Sequence, residues 1–135
     1  MWAYTGDDVR RWLAGVGSIA AAVNAATPLP DLLDLIARTA CELTGYDASG
    51  VLLLDDAGQV LQISGSSGLS ADYVLDVNER RTITLTPGPL SGAPSSRAFR
   101  TATAVPIADI LADPSFAPWA SRRVITATGR SRPSR

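Results

Sequence analysis

The apolar positions in the first third of the chain recur with helical steps. From about Asp7 to Ala25, the residues Val9, Trp12, Val16, Ile19, Val23 and Ala26 follow one another at intervals of three or four, which gathers them on one side of a helix. Val9, Val16 and Val23 are seven apart, a short heptad stripe of the kind that pairs with a second helix. A helix lying on its own domain accounts equally for the same stripe. Asp7 or Asp8 is the expected cap, and Gly15 and Gly17 each weaken the helix by about 1 kcal/mol relative to alanine. Thr27-Pro28-Leu29-Pro30 breaks it, because the residue before a proline is pushed out of helical geometry. A second helix opens at Pro30 or Asp31, with Leu32, Leu33, Ile36, Ala40 and Leu43 on one face and Asp34, Arg38 and Glu42 on the other. Gly45 closes it as a left-handed cap, and Cys41 sits within it as a small buried residue.

The period then changes from helical to two. Ser49–Leu54 reads as a strand, Asp55-Asp56-Ala57-Gly58 as a turn, and 59–64 as the returning strand of a hairpin. Paired aspartates can bind metal, but at a hairpin tip they support the turn through their own backbone. Gly65-Ser66-Ser67-Gly68 reads as a connection to a short helix at 71–77. A third strand follows at 82–86, its threonines alternating with Ile83 and Leu85. The stretch from Pro87 to Pro94 holds too much proline and glycine for regular structure. Ser95 or Ser96 then caps a helical turn through Phe99, 104–110 is a strand or extended segment, and 113–119 is a compact turn carrying Phe116 and Trp119.

Composition narrows the chemistry. The 135 residues include no histidine, and all twelve basic residues are arginine, so there is no lysine either. The imidazole general base, histidine-held haem and the common zinc sites are therefore excluded, as are Schiff bases and phosphate-loop lysines. No metal site, no cofactor and no enzymatic activity are expected. One cysteine forms no disulfide within the chain, no basic segment precedes an apolar run at the N-terminus, and no apolar run approaches the roughly 20 residues that span a bilayer. The reading is a cytoplasmic protein without membrane association. Charge is uneven: up to Ser121 seven arginines face thirteen acids, and beyond it five arginines face none. No aromatic residue interleaves those five, so 121–135 reads as a disordered basic tail with no direct nucleic acid binding.

Three segments, in order, resemble a GAF domain, the sensory module found in cyclic-nucleotide phosphodiesterases, adenylyl cyclases and bacterial regulators. Leu32-Leu33-Asp34-Leu35-Ile36 with Ala40 and Leu43-Thr44-Gly45 is similar to the family's opening helix. Ser49-Gly50-Val51-Leu52-Leu53-Leu54-Asp55 is similar to its first strand. Ser95-Ser96-Arg97-Ala98-Phe99-Arg100-Thr101, followed by Val105, Asp109-Ile110 and Asp113-Pro114-Ser115-Phe116, resembles its middle in the form carried by actinobacterial GAF proteins with DNA-binding partners. The resemblance implies an α+β fold, an antiparallel GAF/PAS-like sheet flanked by helices, in a transcription regulator. A sensor kinase module and a non-catalytic dimerisation fragment are the alternatives.

Three parts follow: a helix over 1–27 read from its apolar period (a candidate homodimer contact through Val9–Ala26), a partial GAF domain over 28–120 implied by the resemblance, and the basic tail over 121–135. The family's later strands lie against its first strand, and residues after Trp119 do not match them. The expectation is a reading frame truncated near Ser121 and a chain that folds poorly or depends on a partner. A small-molecule pocket is implied, with Ser95 and Ser96 as candidate donors to an anionic or carbonyl-bearing ligand, Arg97 as a candidate partner for a carboxylate or phosphate, and Phe116 and Trp119 as candidate walls. Their simpler roles are a helix cap, a solvated arginine and a hydrophobic plug. Cys41 lies on the wrong helix for a chromophore, and the lysine of the cyclic-nucleotide set, the histidine of haem sensors and the several cysteines of the sulfoxide-reductase type are all missing.

Overall fold

The structure, a computed structural model, describes residues 5–105, 112–119 and 124. The elements are α1 (Gly6–Asn24), α2 (Leu29–Thr44), β1 (Ser49–Leu54), β2 (Val60–Ser67), α3 (Ala71–Leu75) continued by a π-helical turn at Asp76–Arg80, β3 (Ile83–Thr84), α4 (Pro94–Thr101) and a 3₁₀ turn at Pro114–Trp119. Helices and a three-stranded antiparallel sheet of order β1-β2-β3 make a mixed α+β chain. It divides into two compact units, one of Met1–Val51 with Ser64–Ser67 and one of Leu52–Ile63 with Gly68–Arg135. The hairpin strands run through both.

In the first unit, α1 is capped one turn earlier than the aspartates suggested. Thr5 is the cap: the Asp8 N–H donates to Thr5 Oγ1 at 3.1 Å and the Thr5 N–H donates to Asp8 Oδ2 at 3.0 Å. This reciprocal arrangement satisfies two amides that have no partner inside the helix. The helix ends at Asn24, so Ala26 lies beyond it at a φ of 55°. Pro28 and Pro30 start α2, and Gly45 ends it at a φ of 76° with its N–H on the Cys41 carbonyl at 2.8 Å. Leu33, Ala37 and Thr39 are its buried residues.

The serine- and glycine-rich stretch after Ser64 is strand, not connection. Gly65 passes so close to α2 that a Cβ there would fall 2.5 Å from the Leu33 carbonyl carbon. The Ser66 N–H donates to Asp34 Oδ1 at 2.9 Å, and the Ser49 hydroxyl donates to the Ala37 carbonyl. Small size and backbone bonding hold β2 extended here, which hydrophobic alternation does not register.

In the second unit, the hairpin tip is a turn built on Asp55, whose Oδ1 accepts from the N–H groups of Gln59 (2.8 Å) and Val60 (3.0 Å), with Gly58 at a φ of 73°. β3 is shorter than its pattern suggested. It pairs Ile83 with Leu61 and Thr84 with Val60, and the Leu85 N–H reaches the Gln59 carbonyl at 2.9 Å. Where β3 leaves the sheet, Asn78 replaces it: its Oδ1 accepts from the Ile63 N–H at 2.8 Å and its Nδ2 donates to the Ile63 carbonyl at 2.9 Å. Leu61, Ile63, Tyr73, Val77, Ile83, Ala93, Phe116 and Trp119 form this unit's core.

α4 begins at Pro94, with Ala93 as its cap and no side-chain cap bond. The expected capping by Ser95 or Ser96 is thus corrected: Pro94 presets the first helical φ, which puts both serines inside the first turn. Ala104 and Val105 are not in a strand; the rest of the extended segment expected at 104–110 lies outside the described residues, as does the basic tail apart from Val124.

Candidate functional site

The five residues singled out from the sequence all belong to the second unit, on α4 and the 3₁₀ turn. Ser96 is fully buried, and its hydroxyl donates to the Thr84 carbonyl at 3.0 Å. It fastens α4 to β3. Ser95 is half-buried beside it in the first turn.

Arg97 joins the two parts of the third resembling segment, 95–101 and 113–116. Its Nη2 donates to Ser115 Oγ at 3.3 Å, and Ser115 in turn donates both its hydroxyl and its N–H (2.9 Å) to Asp113 Oδ1. The Ser115 hydroxyl is the main cause that holds the Asp113 carboxyl below the usual aspartate range, followed by the Ser115 N–H; the Arg97 charge adds to them. Arg97 Nε is buried with no hydrogen-bond partner among the described residues. One guanidinium edge therefore serves the fold, and one donor is unspent.

Phe116 and Trp119 are buried in the core. The rings of Tyr73 and Phe116 stack with centroids 6.2 Å apart, and Phe116 and Trp119 meet at 6.0 Å with a 47° tilt. The Trp119 indole N–H donates to the Arg81 carbonyl at 2.7 Å, while the Arg81 guanidinium donates to the Pro118 carbonyl. This reciprocal clamp ties the 3₁₀ turn to the end of the π-helical turn. As described, both aromatics fill the interior.

The sequence reading missed the polar group beneath them. Asp76 is fully buried, with Arg81 Nε 4.0 Å from its Oδ1. Burial pushes the Tyr73 hydroxyl up to about 12, and the Asp76 charge adds to the effect. The signal in the sequence was an aspartate between Leu75 and Val77, a charge on the apolar side of a short helix.

Two open concavities lie in the first unit, away from these residues. One of about 340 Å³ is bordered by Asp8, Val9, Trp12, Leu13 and Val16 on α1; the other, about 440 Å³, lies between α1 and α2 beside Arg11, Arg38 and Glu42. Cys41 is a half-buried free thiol on α2. Among the described residues no cluster of three or more aspartate, glutamate or cysteine side chains is arranged to hold a metal ion, and no helix is long and apolar enough to cross a membrane. Compared with protein-family models, with curated proteins and with solved structures, the chain matches none.

Proposed function

We propose that the chain is a GAF-type sensory domain of a bacterial transcription regulator, non-catalytic and cytoplasmic, that responds to a small molecule bearing a carboxylate or phosphate. The observation that carries the reading is the state of Arg97. Its Nη2 is committed to the Asp113-Ser115 turn, which orients the guanidinium, and its Nε is buried without an acceptor among the described residues. An anionic group is the natural complement of such a donor, since a guanidinium binds carboxylate and phosphate through charge-assisted bonds.

The test is thermal unfolding of the chain, followed by tryptophan fluorescence, against inorganic phosphate and benzoate as probes of the two anion classes. A ligand at 100 times its Kd stabilises by about 2.7 kcal/mol, which raises the midpoint of a domain this size by several degrees. A saturable rise with one probe that disappears in Arg97→Ala supports the proposal. Equal shifts in both proteins, or no saturable shift with either probe, overturn it.

A further inference from the structure

Helix α1 has two apolar sides, and the first unit covers one of them. Gly15, Ile19 and Ala22 are half-buried, and an added Cβ at Gly15 would meet Thr39 Cγ2 at 2.9 Å and Leu43 Cδ1 at 3.2 Å, so this side is set close against α2. At 3.6 residues per turn, Val9, Leu13, Val16, Ala20 and Val23 fall within about 40° of one line, roughly a third of a turn away. Val9 is 50% exposed, Leu13 66%, Val16 62% and Val23 55%, with Trp12 at 44% on their flank. Their spacing of four, three, four and three is a heptad seam running the length of the helix.

Area and charge both bear on what covers this seam. The exposed parts of these side chains amount to on the order of 500 Å² per protomer, so a symmetric pair that buries them fully comes to about 1,000 Å², the lower bound for a specific interface. Between Leu13 and Asn24 the helix carries no charged residue. Over that stretch a second copy of the same face therefore brings no like charges together, which favours an isologous contact. The nearby arginines are already neutralised within α1, Arg10 by Asp7 at 3.5 Å and Arg11 by Asp8 at 2.9 Å, which leaves little attraction for an anionic lipid surface.

We infer that α1 pairs with α1 of a second copy along Val9, Leu13, Val16, Ala20 and Val23, with Val16 on the two-fold axis. Val9 and Val23 are equidistant from Val16, so Val16 meets its counterpart whichever way the helices run. The seam differs from the stripe visible in the sequence: Ile19 is turned to the α2 side and Ala26 lies past the helix end.

Sedimentation equilibrium of the full chain at tens of micromolar is expected to give twice the chain mass, and Val16→Asp the single mass with helical circular dichroism retained. In a Cys41→Ala background, Val16→Cys should form a disulfide-linked dimer under copper–phenanthroline oxidation, while Ser18→Cys on the far side of α1 should not. The cross-link reads the contact even where the aspartate variant fails to fold. A wild-type chain of single mass, or equal cross-linking from positions 16 and 18, overturns the inference.

Discussion

Gly65 and Asn78 show how single residues hold β2 in each unit. At Gly65 the obstacle is backbone: a methyl group would sit 2.5 Å from Leu33 Cβ and 2.6 Å from its carbonyl oxygen, and neither can swing away. Gly65→Ala is expected to cost about 2–3 kcal/mol, the upper range for overpacking, and to lower the urea midpoint. A midpoint within error of wild type would show that α2 and β2 separate freely. Asn78 is the complementary case, since its amide supplies both bonds that a neighbouring strand would give Ile63. Asn78→Ala leaves a part-buried N–H and C=O without partners and is expected to cost about 2 kcal/mol or more. Asn78→Asp separates the two bonds: the carboxylate still accepts from the Ile63 N–H but repels its carbonyl, so it should fall at or below the alanine variant. Chemical denaturation of the three proteins in parallel checks that order.

At the level of elements, legibility tracked whether local pattern or tertiary contact decided the outcome. β1 was read to the residue, and the ends of α1 and α2 to within a residue or so, because proline, Gly45 and the apolar periods are local signals. The Asp55 turn was legible for the same reason. The later part of β2 was not, because Gly65-Ser66-Ser67 has no alternating apolar pattern and is extended through Leu33, Asp34 and backbone pairing. The π-helical turn at Asp76–Arg80 was invisible as well: a charged residue is turned inward against Arg81, and the extra residue per turn brings Asn78 to Ile63. Among the candidate site residues, the hydrogen bond from Arg97 to Ser115 was not legible, because it joins residues eighteen apart in sequence through a tertiary contact. Ser96, Phe116 and Trp119 are buried, and two of them are also fastened to backbone, Ser96 to the Thr84 carbonyl and Trp119 to the Arg81 carbonyl.

For the molecule as a whole, the same hydrogen bonds that shape its turns set its response to acid. The Thr5 N–H holds the Asp8 carboxyl below the ordinary aspartate value of 3.8, with Arg11 as a second cause; the Gln59 and Val60 N–H groups do so for Asp55, and the Ser115 hydroxyl and N–H for Asp113. In each case the folded chain binds its proton more weakly than the unfolded chain. Stability from these groups is therefore present in full above the unfolded value and is lost as pH falls through the lower folded values. With no histidine, little titrates between pH 5 and 7. The thermal midpoint should accordingly be flat across that interval and decline below about pH 4, where the unfolded carboxylates begin to take up protons. Asp55→Asn isolates one contributor, because the amide oxygen still accepts from Gln59 and Val60 but no longer titrates. Its midpoint should lie slightly below wild type at pH 7, and the drop between pH 5 and pH 3 should be smaller. Circular dichroism melts across the pH series decide this, and an acid drop as large in the asparagine variant as in wild type would remove Asp55 from the account.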